Sequence, residues 1–173
     1  EKFFEQAALK QEATAFFYCR PQDNRWVTMS WNRYREEVTT LAAWLSSKGI
    51  KRGSKVAMLS SNRPEWIISD LAILSLGAIT VPIYPNASTH EIQYILGHSE
   101  AEWIMVDKIE RVLNLNRQSL RGILSFNKAP EEVAESFDTP VYHYAAAVHD
   151  SIPPIKGPAV MQPDEIATII YTS

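Results

Sequence analysis

From Ser30 to Val106 two kinds of hydrophobic pattern take turns, and that alternation limits the folds open to the chain. Tyr34, Val38, Leu41, Ala42 and Leu45 recur at spacings of three and four, which puts one apolar stripe on a helix. Ser30 suits its N-cap, and Gly49 suits the left-handed position after its C-terminus. Lys51-Arg52-Gly53-Ser54 is a turn, and Lys55-Val56-Ala57-Met58-Leu59-Ser60 reads as a strand. A second helix has Pro64 in its first turn, where a missing N–H costs nothing. From Trp66 to Leu76 it is apolar nearly all round, interrupted by Ser69, Asp70 and Ser75, so it should pack on several sides. Gly77 ends it. The strand from Ala78 to Pro85 contains Pro82, which withholds a ladder donor, so it must stop early or lie at an edge. Ser88 and Glu91 have capping-box spacing, and Ile92, Ile95 and Leu96 form the apolar side of a short helix expected to close at Gly97. Trp103 to Val106 is again a strand. Such alternation argues for βαβ units: an α/β protein with a mostly parallel sheet flanked by helices.

The flanks are plainer. Residues 3–11 read as a short helix with Phe3, Phe4, Ala7 and Ala8 on one face. Ala15 to Cys19 and Trp26 to Met29 suggest a hairpin across a turn at residues 21–24. Val112 and Leu115 suggest a helix after Asp107. Gly122 to Phe126 and Val141 to Tyr144 are short strands around a loosely helical acidic segment with Glu131, Glu132 and Glu135. Pro153, Pro154, Pro158 and Pro163 make 151–163 an irregular connection. The run from Ile166 to Tyr171 is almost wholly apolar and suits a strand buried on both faces. It ends in Thr172 and Ser173. Small hydroxyls delivered to the C-terminal edge of a strand begin a phosphate-binding loop in many α/β proteins, although a Thr-Ser pair also suits an ordinary turn.

Composition narrows the function. The net charge is −3 and the 17 Lys and Arg are scattered, which gives no electrostatic case for nucleic acid. Cys19 is the only cysteine, so a reducing compartment such as the cytoplasm is expected. No apolar stretch approaches the roughly 20 residues of a membrane span. The N-terminus has neither Met nor a signal-peptide core, so the chain is expected to be part of a longer one. His90, His98, His143 and His149 lack metal-ligand spacing, and His90 and His98 would share a helix face only if the helix continued past Gly97. No nucleophile elbow, dinucleotide fingerprint or complete Walker loop is present. Asp70 is expected either at a seam with solvent or hydrogen-bonded to backbone, in a structural rather than a catalytic role.

Four blocks in order then carry a resemblance. They are Ser30-Trp31-Asn32-Arg33-Tyr34 with Leu41-Ala42-Ala43-Trp44-Leu45; Gly53-Ser54-Lys55-Val56-Ala57 with Asn62-Arg63-Pro64-Glu65-Trp66; Ala72 to Ala78 with Val81-Pro82-Ile83-Tyr84-Pro85; and Asp164 to Ser173. Together they resemble the N-terminal part of the adenylate-forming superfamily, the acyl-CoA synthetases, luciferases and adenylation domains of peptide synthetases. The wording Asn-Arg-Pro-Glu-Trp and Val-Pro-Ile-Tyr-Pro looks most like bacterial long-chain fatty-acid–CoA ligases. One departure is Ser54, where the family usually carries Asp; both residues serve in turns.

The resemblance implies that residues 1–173 are the N-terminal portion of an AMP-binding domain of acyl-CoA synthetase/luciferase-like fold, with 151–163 a connection inside it. In the family the last block continues as Gly-Thr-Thr-Gly-x-Pro-Lys-Gly, the loop that holds the ATP phosphates. Thr172 and Ser173 are therefore the expected ATP-phosphate contacts, with no catalytic residue and no metal ligand in the chain given. The whole enzyme would use ATP, Mg²⁺ and coenzyme A to turn a fatty acid into an acyl-adenylate and then a thioester. The piece alone would be inert. An aryl or amino acid substrate, or a non-catalytic α/β binding module, are the rival readings. A fatty-acid substrate makes peripheral contact with the inner face of a membrane reasonable, yet no basic amphipathic helix argues for it.

Overall fold

In the computed structural model, which describes residues 1–20, 23–116, 119–127, 133 and 135–172, the central strands of the main sheet are buried on both faces. Strand β3 (Lys55–Leu59) sends Val56 and Met58 into one apolar cluster and Ala57 and Leu59 into another. Strand β5 (Trp103–Val106) divides in the same way, Trp103 and Met105 against Ile104 and Val106. That is the period of two expressed as two cores. The first core is closed by α2 (Trp31–Ser47) and α3 (Pro64–Ser75), the second by α4 (Thr89–Ser99). With β4 (Ile79–Ile83), β6 (Gly122–Ser125) and β7 (Val141–His143), the sheet runs β4-β3-β5-β6-β7 with every pair parallel. Burial on both faces is the usual condition of a parallel sheet.

The helix ends follow local chemistry. Ser30 Oγ accepts from the Arg33 N–H at 3.3 Å, and Gly49 and Gly77 take φ of +88° and +68° where α2 and α3 stop. Both halves of the capping box form at α4: Ser88 Oγ accepts from Glu91 N at 3.2 Å, and the Glu91 carboxylate accepts from Ser88 N at 2.6 Å. The Ser88 N–H, with the Ser88 side chain, holds the Glu91 carboxyl below its ordinary value. However, Gly97 does not close α4. The helix continues to Ser99, and Glu100, at φ +56°, takes the left-handed position instead. A glycine inside a helix costs only about 0.5–1 kcal/mol. Buried Leu96, Ser99 and Ala101 offset that cost, and Ser99 Oγ donates to Ile95 O at 2.6 Å.

Outside the main sheet, β1 (Thr14–Arg20) and β2 (Arg25–Ser30) form the expected antiparallel hairpin. With α1 (Lys2–Lys10) the hairpin packs on α2 through rings: Phe3 lies 4.8 Å from Tyr34, and Phe16 lies 5.1 Å from it, both edge-on. The helix expected after Asp107 is a single 3₁₀ turn, Ile109–Val112, which buries Ile109 and Val112 at the spacing of three that this tighter helix brings into line. A short helix, α5 (Tyr144–Val148), follows β7. Glu131 and Glu132 lie outside the described residues. Residues 151–163 contain no helix or strand and cross the first core, with Ile155 N donating to Thr39 O and Ala159 N to Ser75 O.

The C-terminal run departs most from expectation. It is not a strand buried on both faces: Ile166 and Ile170 are 59% and 64% exposed, and one bridge, Thr168 to Thr80, joins the run to β4. The cause lies in β4. Thr80 points its backbone groups outward, donating to Ala167 O and accepting from Ile169 N at 3.1 and 3.0 Å. The next outward position is Pro82, which has no N–H to extend the ladder.

Gly122 supplies a sharp test of the packing. A Cβ there would lie 2.3 Å from the Trp103 ring, which also stacks on Tyr142 at 5.7 Å. Gly122→Ala should therefore destabilise the protein by about 1–3 kcal/mol through overpacking. Urea unfolding of the variant should show this loss, and Trp103→Phe in the same chain should recover part of it.

Candidate functional site

Thr172 reaches its position through a series of modest anchors. Arg52 pairs with Glu165 and donates to Val160 O at 2.6 Å, while Glu165 accepts from Gln162 N at 2.6 Å. Arg52 and the Gln162 N–H hold the Glu165 carboxyl below its ordinary value. The Thr80 bridge comes next, reinforced by Thr168 Oγ1 donating to Thr80 O at 3.0 Å. Then Tyr171 turns its phenol to His98, with Oη 2.8 Å from Nδ1. The His98 ring stacks on Tyr94 at 5.5 Å and 21°, and Tyr171 stands edge-on to both. Burial and the Tyr94 phenol push the Tyr171 hydroxyl above its ordinary value, so it stays neutral near pH 7.

Asp70 finds its partner in a side chain rather than in the expected backbone. It accepts from Thr80 Oγ1 at 2.8 Å and so steadies the residue on which the tail docks. Burial pushes its carboxyl up and the Thr80 hydroxyl pulls it partly back. Across the α2–α3 interface, burial and the Asp70 charge push Tyr34 up to about 12.

Two hollows lie where β3 and β4 end, the edge at which open α/β sheets receive ligands. One, about 220 Å³, is lined by Ser60, Asn62, Trp66, Ile83, Ile170 and Tyr171 among others. The second, about 580 Å³, is lined by Tyr84, Asn86, His90, Tyr94, Tyr171 and Thr172 among others. Pro82, Tyr84 and Tyr171 are common to both and lie between them. Thr172 is exposed at the rim, and Ser173 lies outside the described residues. A larger hollow of about 680 Å³ lies between the hairpin and the loop after β3, away from Thr172. Its Arg63 is committed to Glu65 at 2.8 and 3.0 Å and to Asn127 at 3.0 Å, so it offers little for an anion.

The residues that sequence reasoning missed are Tyr94 and His98. Their spacing of four was readable, but only a helix running past Gly97 brings His98 under Tyr171. His90 lines the larger cleft. Among the described residues, no three His, Cys, Asp or Glu come together to hold a metal ion.

The sequence profile of the AMP-binding enzymes matches residues 3–173. The chain belongs to that family. Fatty acyl-CoA synthetase A of Dictyostelium discoideum is 24% identical over 158 residues, which make up 87% of this chain and 23% of that protein. Long-chain-fatty-acid–CoA ligase FadD15 of Mycobacterium bovis is 37% identical over 84 residues, 49% of this chain and 14% of that one. The crystal structure of coronafacic acid ligase from Pectobacterium brasiliense matches in fold with a TM-score of 0.81, over 98% of this chain and 32% of that chain, at 22% identity. This AMP-binding chain therefore spans less than a quarter of the length of those two relatives.

The burial of Asp70 predicts a pH effect of definite sign. The folded-state value of Asp70 lies above 3.8, so the folded protein binds more protons between 3.8 and the raised value, and stability falls as pH rises through that window. Asp70→Asn should flatten this decline, read from urea midpoints between pH 4 and pH 7. Asp70→Ala leaves the buried Thr80 hydroxyl without its acceptor and should cost about 1–3 kcal/mol relative to the Asn variant.

Proposed function

We propose that the whole protein is an ATP-dependent long-chain fatty-acid–CoA ligase and that residues 1–173 are the N-terminal portion of its AMP-binding domain, with 151–163 a connection inside it. In the first half-reaction a carboxylate oxygen attacks the α-phosphorus of ATP and the bond to pyrophosphate breaks, leaving an acyl-adenylate. In the second, the thiol of coenzyme A attacks the acyl carbon, loses its proton, and AMP leaves. The carboxylate is a poor electrophile, and the mixed anhydride gives it a good leaving group. The observation that supports the reading is the arrival of Thr172 at the strand-end clefts, on a segment that resembles the start of the family's phosphate loop.

In this reading the hydroxyls of Thr172 and Ser173 donate to phosphate oxygens and stabilise the charge that grows as pyrophosphate departs. Mg²⁺ would accompany ATP and neutralise its phosphates. The described residues hold no cluster that fits the ion, so no step here runs through it. The names of the relatives favour a fatty acid. Coronafacic acid ligase, similar in fold, keeps a different carboxylic acid, aryl and amino acids included, as the second reading. No helix among the described residues is long and apolar enough to cross a membrane. In this reading the reaction takes place in the cytoplasm, with fatty acid collected from the inner face of the membrane.

ATP–pyrophosphate exchange by the full-length protein tests the reading. Palmitate should support exchange, and benzoates and amino acids should not. Exchange with an aryl or amino acid alone would select the second reading, and no exchange with any acid would leave a binding module. Thr172→Ala should lower kcat/KM for ATP about 10- to 100-fold, the loss expected for one hydrogen bond to a charged group.

A further inference from the structure

The tail presents a mechanical problem. Pro82 ends the ladder after Thr80, and among the described residues no backbone group of 170–172 finds a partner. Ile170 is 64% exposed and cannot anchor the chain by burial. What fixes the direction of Thr172 is the side chain before it. The Tyr171 hydroxyl lies 2.8 Å from His98 Nδ1, and the His98 ring lies flat on Tyr94, one turn earlier on α4. Tyr171 meets both rings edge-on, at 5.6 and 6.2 Å, an arrangement that the aromatic quadrupoles favour.

We propose that His98, held in plane by Tyr94, is a positioning residue that locks the Tyr171 phenol and thereby aims Thr172 at the ATP phosphates. The proposal rests on the phosphate role given to Thr172 above. It acts through geometry rather than through contact with ATP. Because Tyr171 lines both strand-end clefts, together with Pro82 and Tyr84, a free rotation of its ring would change the shape of both. The hydrogen bond stops that rotation. In the Nε2-protonated tautomer the phenol donates to Nδ1, and in the Nδ1-protonated tautomer the imidazole donates to Oη. Either way the same two atoms are joined, so neutral His98 serves in both forms.

The test uses the full-length protein and reads both exchange kinetics and amide hydrogen exchange. His98→Leu should raise KM for ATP about three- to tenfold, the worth of one neutral hydrogen bond, with KM for the fatty acid unchanged. Amides of residues 166–172 should exchange faster in the same variant. His98→Asn keeps a polar group near the position of Nδ1 and should recover most of both effects. Tyr171→Phe should match His98→Leu, and the double variant should be no worse than either single one, because both remove the same bond. An unchanged KM for ATP in His98→Leu, an Asn variant as impaired as the Leu variant, or additive losses in the double variant would each overturn the proposal. If the wild-type protein showed no exchange with any acid, the functional reading would fall and take this role with it. An active wild type with an indifferent His98→Leu removes the positioning role alone.

Discussion

The burial of β3 and β5 on both faces is the constraint on which the rest of the molecule depends. A strand with Val56 and Met58 on one side and Ala57 and Leu59 on the other cannot leave either face in water. Helices must therefore lie on both sides of the sheet. The crossovers supply them: α3 joins β3 to β4 on one face, and α4 joins β4 to β5 on the other. Since all these strands run parallel, the loops that leave their C-terminal ends gather along one edge. The clefts beside Thr172 follow from that gathering. They do not depend on any special loop sequence.

The edge of that sheet is a second and weaker constraint. β4 presents one usable pair of outward backbone groups, those of Thr80, and Pro82 withdraws the next donor. Asp70 accepts the Thr80 hydroxyl from the helix behind, so the docking residue is held from two directions. The half-buried Asp70 charge is costly to desolvate. A position that tolerates this cost for the sake of one hydroxyl shows how much of the local structure turns on keeping Thr80 in place.

Most of the scaffold was legible because its signals are local. Ser30, Gly49, Pro64, Gly77 and the Ser88–Glu91 pair each work within one turn of chain, and each does in the structure what its spacing suggests. Pro82 was legible as an edge residue for the same reason. The errors came where the deciding term was not local. Ile166 to Tyr171 has the composition of a buried strand, yet composition cannot say how many neighbours a strand will find, and this one finds a single residue of β4. Gly97 resembles a stop signal, but burial of Leu96 and Ala101 outweighs its intrinsic cost. That error hid the site's support. With α4 ended at Gly97, His98 has no reason to lie one turn above Tyr94, and its meeting with Tyr171 across 73 positions of sequence has no local sign at all.

These features together leave the segment before Thr172 held by fewer contacts than the central strands. The Arg52–Glu165 pair is solvent-exposed and screened, so it guides the tail more than it secures it. The Thr80 bridge and the Tyr171–His98 bond are each a single point of attachment, whereas β3 is paired along its length on both sides. Local stability of this uneven kind is expected where a segment must accept a ligand. An anion bound at Thr172 would add its binding free energy to the few contacts that order the tail, so ligand binding and tail ordering would reinforce each other. On the phosphate role proposed for Thr172, the firm sheet would set where the phosphates bind, and the sparse anchors would leave the final ordering of the tail to the ligand.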